Sequence, residues 1–595
     1  MLLQQLRSTL RDYNIDVLYL NHTDAHSSEY PPLREYRVKF LTQFSGSSAS
    51  CIITQEHALL FTDSRYYLQA ERESPDWTLM KTSEPDSQSP KNWMKKNLSQ
   101  GKRVGFFHEL MTIQSFKELN KTLSSEGISL IPMKTDIVGE LWEKSRETRP
   151  HFPQSKLRLR SLEFTGASCL DKINLLRGIA SERRVTCLFV CSLPEIAWLF
   201  NLDATDIPFT STPSYTFAMV TMSSVHLFVK KHREFGSKIR ESLEEAGVLI
   251  GDYDLVDEEL IKMIDDQTQK VLIPETTPVS LLSRYLDNLP SNLIVSESII
   301  VAIKVQKNSV EQKAQKQASI KDSAALCEAF AFVTNTIKNG YSTLTEEEIS
   351  DFLIEKRQDR SNFIGPSFES IVAASGNAAI VHYRPQTNTK VEQNSLLLID
   401  SGGSYLEGTT DVTRVLSLYN DLEVPLYMKQ RYTDVLNGHL ALLCAIFPKG
   451  TRGMDLDYTA RSFLYKNKLN YGHGTGHFVG LREVHENPSG ISKKGSFELK
   501  TGCILSNEPG YYKENDFGIR IENLMMVVPT DSDCTDWLKF ETLTFVPYEK
   551  SLILLDQLPS DHLKFLKEYY AEIRRLIIPL VNQEAREWIE HQICI

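Results

Sequence analysis

The chain of 595 residues is long enough for two to four domains, each with its own core. Its 41% hydrophobic and 24% charged residues are ordinary for folded protein and exclude wholesale disorder. A formal charge of −11 argues against a generic nucleic-acid binder, and no apolar run approaches the roughly 20 residues of a membrane span.

The first segment spaces Leu3, Leu6 and Leu10 amphipathically, with Arg7 and Arg11 among them, so a signal-peptide core is missing. Apolar runs at 17–20, 51–54, 59–62, 104–107 and 128–131 predict strands, with a turn at Gln55-Glu56-His57 and helical spacing between the last two. This is an α/β pattern. The charged stretch 144–160, with Pro150 and Pro153, reads as a linker. A second α/β set follows, with strands at 185–191, 215–221 and Val225–Val229. Its strand–turn–strand element resembles the one at 51–62, which suggests a weak internal repeat.

The third part opens with a long helix, with a capping box at Ser309 and Gln312 and a terminal glycine at Gly340. A second helix starts at Thr345 and Glu348. Short strands separated by Gly and Asn turns are expected from Glu369 to about Val546. Leu563, Leu566, Tyr570, Ile573 and Ile577 then predict a packing helix that stops before Pro579. The expected domains are 1–155, 156–306 and 307–550, with a helical extension at 551–595. Nine cysteines, an odd number with no CxxC pair, fit reduced thiols in a cytoplasmic protein.

The chemistry concentrates in the third part. His473, His477 and His485 crowd the stretch YGHGTGHFVGLREVHENP. A zinc helix using His473 and His477 is disfavoured by Gly474 and Gly476, each costing about 1 kcal/mol in a helix. The glycines suggest tightly packed backbone with imidazoles facing a site. Asp400 ends the apolar run 396–399, and Asp411 follows in GTTDVTR after a possible hairpin. Either aspartate alone reads as a turn cap. Glu508 closes the run 503–506, and Glu522 sits in 519–526, which alternates as one strand does. Four carboxylates and one imidazole make an oxygen-rich set that suits Mn²⁺ or a similar divalent ion. The charge is enough for two ions about 3.5–4 Å apart.

These motifs, DSGGSYLEGTTDVTR, HGTGH, EPGYY and GIRIEN, in this order, resemble the signature of the aminopeptidase P and prolidase metallopeptidases. That family has the pita-bread fold shared with methionine aminopeptidase. FLTQFSGSSASCIITQEHALLFTDSRYYLQAE resembles its creatinase-like N-terminal domain, and EIAWLFNLDATDIPF and LKFETLTFVP resemble the long, three-domain cytosolic members. The resemblance implies two creatinase-like α/β domains, then a pita-bread catalytic domain of mixed α/β and α+β build. It implies an Xaa-Pro aminopeptidase that removes the N-terminal residue from peptides with proline second, by a hydroxide held between two metals. It further implies metal ligands Asp400, Asp411, His477, Glu508 and Glu522, with Asp400 binding through both oxygens and Asp411 and Glu522 bridging. Glu508 would also move the proton toward the departing nitrogen. His382, in a strand before the first aspartate, and His473 and His485 would lie near the metals without binding them. Arg520 would pair with a ligand carboxylate. Two Mn²⁺ ions, a homodimer joined through the catalytic domain, and no nucleic-acid or membrane partner complete the expectation. The alternatives are a prolidase-like X-Pro dipeptidase, against which the two extra domains count, and a metal-free pita-bread binding module, against which the complete ligand set counts.

Overall fold

A computed structural model describes residues 2–595 except 84–86, 154, 232, 341–343, 421–422 and 532–533. The chain divides into two compact units, Met1–Val301 and Ala302–Ile595.

The first unit contains two six-stranded sheets of one topology. The first sheet comprises Val17–Asn21, Ser50–Ile53, Ala58–Thr62, Thr78–Lys81, Arg103–Phe107 and Ser129–Met133. The second comprises Cys187–Val190, Thr216–Thr221, Val225–Val229, Val248–Asp252, Val271–Pro274 and Leu293–Ser296. In both, the strands lie side by side in the order fourth, third, second, first, fifth, sixth. In both, the first three are antiparallel neighbours and the outer pairings are parallel. The repeat suggested by two hairpins is therefore a repeat of the whole sheet.

Central strands such as Thr216–Thr221 are buried throughout, because helices cover the sheets. Helix Ile113–Ser124 is capped by Thr112 and buries Ile113, Phe116, Leu119 and Leu123, one stripe at helical spacing. One apolar core runs through both sheets, joining Phe106 and Phe116 with Phe189, Phe217 and Leu260. Backbone hydrogen bonds from Ile113 N to Thr277 O and from Val279 N to Met111 O, both 2.9 Å, stitch the halves together. The stretch expected as a linker is pinned at both ends. Arg149 pairs with Asp136 at 2.9 Å, and fully buried Arg160 pairs with Asp203 at 2.7 Å.

In the second unit, helix Ser309–Lys338 starts one residue later than its cap, which is Asn308 and not Ser309. Asn308 accepts from the backbone of Glu311, and the Glu311 side chain reaches back, so the box sits one position earlier than expected. Asn339 caps the end of the helix and is followed by Gly340 with φ +65°. Helix Glu346–Gln358 has the expected Thr345–Glu348 box.

The stretch expected as strands also contains two helices, Leu426–Leu443 and Gly453–Lys466. In the first, Met428, Tyr432, Val435, Leu436, His439, Leu440 and Leu443 are buried at three-and-four spacing. Around them stand a three-stranded sheet (Ile371–Ala374, Leu396–Ser401, Val412–Ser417), a six-stranded sheet and a hairpin, Gly510–Lys513 with Phe517–Arg520. The expected terminal helix is Ser560–Leu576. An additional helix, Gln583–Ile593, is capped by Asn582 and buries Ala585, Trp588 and Ile589, with Trp588 edge-on to Phe330.

Candidate metal centre

Asp400 lies in one strand of an antiparallel pair, and Asp411 immediately precedes the other. Leu396–Ser401 pairs with Val412–Ser417 so that Asp400 lies opposite Thr413 and Ser401 opposite Val412. The connecting hairpin is tight. A Cβ on Gly402 would lie 1.9 Å from the Thr410 carbonyl oxygen, so only glycine fits. Glu508 follows strand Ile504–Asn507. Glu522 does not continue a strand as expected. It occupies the break between Phe517–Arg520 and Asn523–Asp531, and its N–H donates to Thr413 O at 3.1 Å.

His477 lies in strand Gly476–Phe478, which excludes the zinc helix. A Cβ on Gly476 would sit 2.0 Å from the Ser506 carbonyl oxygen, so glycine brings the two strands to the distance the site requires. Ser506 Oγ accepts from His477 N at 3.0 Å and donates to Glu508 Oε1 at 3.3 Å.

Ligand atoms of Asp411, His477 and Glu522 all lie within 4.8 Å of one another. His477 Nε2 is 3.3 Å from Asp411 Oδ2 and 3.7 Å from Glu508 Oε1. Its Nδ1 is 3.1 Å from Phe478 O. A carbonyl only accepts, so in the neutral ring Nδ1 carries the proton and the Nε2 lone pair faces the carboxylates. Thr413 Oγ1 donates to Glu522 Oε2 at 2.7 Å and accepts from Arg520 Nε at 3.3 Å. Arg520 donates to Asp400 Oδ2 from Nε and Nη2, and Nη1 donates to Tyr512 OH at 2.9 Å.

The other histidines divide. His473 stands against Glu508, with 3.9 Å between Nδ1 and Oε2, and its Nε2 lies 2.8 Å from Tyr512 OH. His485 sets its ring edge-on to His477, with centroids 4.4 Å apart. His382 is not in a strand. It lies in a turn after the short 3₁₀ helix Ser375–Ala379, because that helix ends the strand Ile371–Ala374. Its neighbour Tyr383 is held by Glu346 at 2.6 Å.

The carboxylates strain against one another. Burial, then the Asp400 and Glu508 charges, pushes the Asp411 carboxyl well above its usual range. Burial, then Asp411 and Asp400, does the same to Glu522. Burial also raises Glu508. Asp400 Oδ1 and Glu522 Oε1 are buried with no hydrogen-bond partner. Arg520 alone does not balance four carboxylates. A hard divalent cation would satisfy the orphaned oxygens and relieve the repulsion, so the donor set fits the expected metal group.

Sequence reasoning did not assign Thr413, Ser506 or Tyr512. Thr413 was within reach, since it follows Asp411 by two residues, the side-chain period of extended chain.

The fold and this donor set define a metallopeptidase. Residues 313–529 match the family Metallopeptidase family M24, and 536–593 match the C-terminal region of that peptidase. Residues 3–139 and 148–311 each match the Creatinase/Prolidase N-terminal domain. The Xaa-Pro aminopeptidase 1 of Dictyostelium discoideum is 34% identical, over 99% of this chain and 95% of its own. Aminopeptidase P2 of Arabidopsis thaliana is 32% identical, over 97% and 85%. The crystal structure of X-prolyl aminopeptidase from Caenorhabditis elegans, described as a cytosolic enzyme with a di-nuclear active site, superposes with TM-score 0.94. It is 29% identical and covers 100% of this chain and 98% of that one. The Xaa-Pro dipeptidase from Bacillus anthracis covers only 64% of this chain, with TM-score 0.51 and 21% identity, and shares the fold alone. The chain belongs to the M24 metallopeptidases, in the branch that carries two creatinase/prolidase N-terminal domains.

Proposed function

We propose that this chain is an Xaa-Pro aminopeptidase, releasing one N-terminal residue from peptides whose second residue is proline. The observation that carries this reading is the meeting of Asp411, His477 and Glu522, with Glu508 3.7 Å from His477 and Asp400 held by Arg520, and with two buried carboxylate oxygens lacking a partner, in a chain that a relative matches over 99% of its length. Asp400, Asp411, His477, Glu508 and Glu522 would hold two divalent ions. We assign them as Mn²⁺ because four of the five donors are hard oxygens. When bound, the ions supply a Lewis acid for the scissile carbonyl and lower the pKa of a water.

The chain's own groups do the rest. Arg520 fixes Asp400, and Thr413 fixes Glu522, so the donors are oriented before any ion arrives. Glu508, set 3.7 Å from His477 Nε2 and accepting from Ser506 Oγ, is suited to take a proton from the attacking water and hand it to the departing nitrogen. His485 and His382 are assigned to the substrate carbonyl and the substrate, and His473, oriented by Tyr512, supports Glu508. Proline nitrogen has no N–H, so a site shaped to its ring takes substrates that peptidases reading that N–H reject.

Two N-terminal sheets precede the catalytic unit, and a dipeptidase that must close on a carboxylate has no need of them. We assign longer peptides, not X-Pro dipeptides, as substrates. We further propose a homodimer joined through the catalytic unit and a cytoplasmic location. The described cysteines are unpaired, and no described helix is long and apolar enough to cross a membrane. The test is a mass-spectrometric time course on an X-Pro-Y peptide, its X-Ala-Y counterpart, an X-Pro dipeptide and an N-acetylated control. Release of X from X-Pro-Y alone is expected. Cleavage of the dipeptide alone would make the chain a prolidase.

A further inference from the structure

Beside the metal centre, the second unit buries a cluster of charges that the chemistry above does not use. Lys304 Nζ lies 2.7 Å from Glu483 Oε1 and 2.5 Å from Glu486 Oε1. Lys307 Nζ takes the other oxygen of Glu486 and also lies 3.3 Å from Val305 O. The side chains of Lys307 and Glu486 are each 1% exposed, and those of Lys304 and Glu483 are 11% and 15% exposed.

Such a cluster is costly. Two ammonium groups and two carboxylates leave water, and each repays its desolvation only if all four stay in register. Removing one leaves a buried charge uncompensated. A cluster of this kind is weak support for stability, which directs attention to the geometry it holds.

The geometry it fixes is that of His485. Glu483 and Glu486 flank His485 in sequence, two residues before and one after. Glu486 starts strand Glu486–Ile491 and pairs with Phe478, the residue after His477. His485 is thus held on a short loop tied down at both ends, with its ring against His477. A Cβ on Gly480 would lie 3.0 Å from Glu483 Cγ and 3.2 Å from Glu486 Oε1, so the loop leaves room for both carboxylates. Lys307 is itself anchored. Lys307 N donates to Gly502 O at 3.1 Å, and Gln312 Nε2 donates to Lys307 O at 2.7 Å.

We infer that Lys304 and Lys307 are positioning residues for the reaction, holding the Glu483–Glu486 loop so that His485 stays against His477 and faces the substrate carbonyl. They touch neither substrate nor metal and act through His485 alone. The inference rests on the assignment of His485 to the substrate carbonyl.

The experiment is a double-mutant cycle with Lys304→Met and His485→Ala, on full-length protein loaded with Mn²⁺. Bound metal and melting temperature are measured on every variant. Lys304→Met is expected to lower kcat about 10- to 100-fold, as a small misplacement of a reacting group does, with metal content unchanged. In the His485→Ala background it should change kcat less than about 2-fold, because the group it positions is gone. Lys304→Arg should recover most of the rate. Should Lys304→Met fail to fold, Glu483→Gln, which keeps the shape and removes the charge, takes its place in the cycle. Wild-type kcat in Lys304→Met, or the same fold-loss in both backgrounds, overturns the inference. Wild-type kcat in His485→Ala would overturn the assignment of His485 and the inference with it.

Discussion

Arg520 spends two hydrogen bonds on one oxygen of Asp400. Nε and Nη2 reach Oδ2 at 3.1 and 2.5 Å, while Oδ1 is buried with no partner. The guanidinium therefore orients the carboxylate without satisfying it, and the oxygen left over is the one a cation would take. Arg520→Lys keeps the charge but loses the fork that spans Asp400, Thr413 and Tyr512. Hydrolysis of X-Pro-Y by this variant is expected to fall about 10- to 100-fold, with weaker metal retention after desalting. Unchanged metal content and rate would show that the fork is not needed.

Thr413 joins the two sides of the site, accepting from Arg520 and donating to Glu522. Thr413→Val keeps the shape and removes the hydroxyl, leaving Glu522 Oε2 without its donor. Metal affinity should weaken about 10-fold. Metal-free stability should drop by about 1–3 kcal/mol, the cost of a buried group left unsatisfied. Isothermal titration and denaturant melts read the two effects separately.

The crowded carboxylates give the metal-free protein a particular pH response. Asp411 and Glu522 have folded-state proton affinities above their unfolded values, so their contribution to stability is present at low pH and is lost as pH rises through the folded values. Metal-free protein should lose stability as pH rises above the usual carboxylate range, and Mn²⁺ should restore more at the higher pH. Binding should release protons, seen as a dependence of the apparent binding enthalpy on the buffer. A metal-free melting temperature that rises with pH above that range would contradict the account.

Gly476→Ala tests the packing behind His477. The added Cβ would meet backbone, Ser506 O at 2.0 Å and Ser506 C at 2.8 Å, which cannot swing aside. Loss of about 1–3 kcal/mol is expected from overpacking, with a fall in activity larger than the loss of folded protein explains. Circular dichroism melts and the rate per folded chain, measured together, separate the two.

Much of this was legible in the sequence for a physical reason. Asp400 and Glu508 each close a run of apolar residues, and a carboxylate at the end of a buried strand announces itself. The N-terminal repeat was visible only in its two hairpins, since parallel outer strands leave no local turn signal. Helix Leu426–Leu443 was missed because Gly438, a poor helix former, sits in its middle. There the glycine admits the neighbouring helix, since a Cβ would meet Ala460 O at 2.1 Å. Glu522 was read into a continuous strand because alternation persists across a break in hydrogen bonding. The Lys304–Glu486 contact could not be read at all, because its partners stand 182 residues apart.

On the reading proposed above, Asp400, Asp411, His477, Glu508 and Glu522 build a two-metal site on which hydrolysis depends. Metal-free wild-type protein and Asp411→Asn should be titrated with Mn²⁺, with bound metal per chain and the rate of X-Pro-Y hydrolysis measured on the same samples. Wild-type activity should rise with occupancy and level off at two ions per chain, and Asp411→Asn should bind less metal and stay nearly inactive. Full activity with no metal bound, or an Asp411→Asn titration that overlays the wild type, would contradict it.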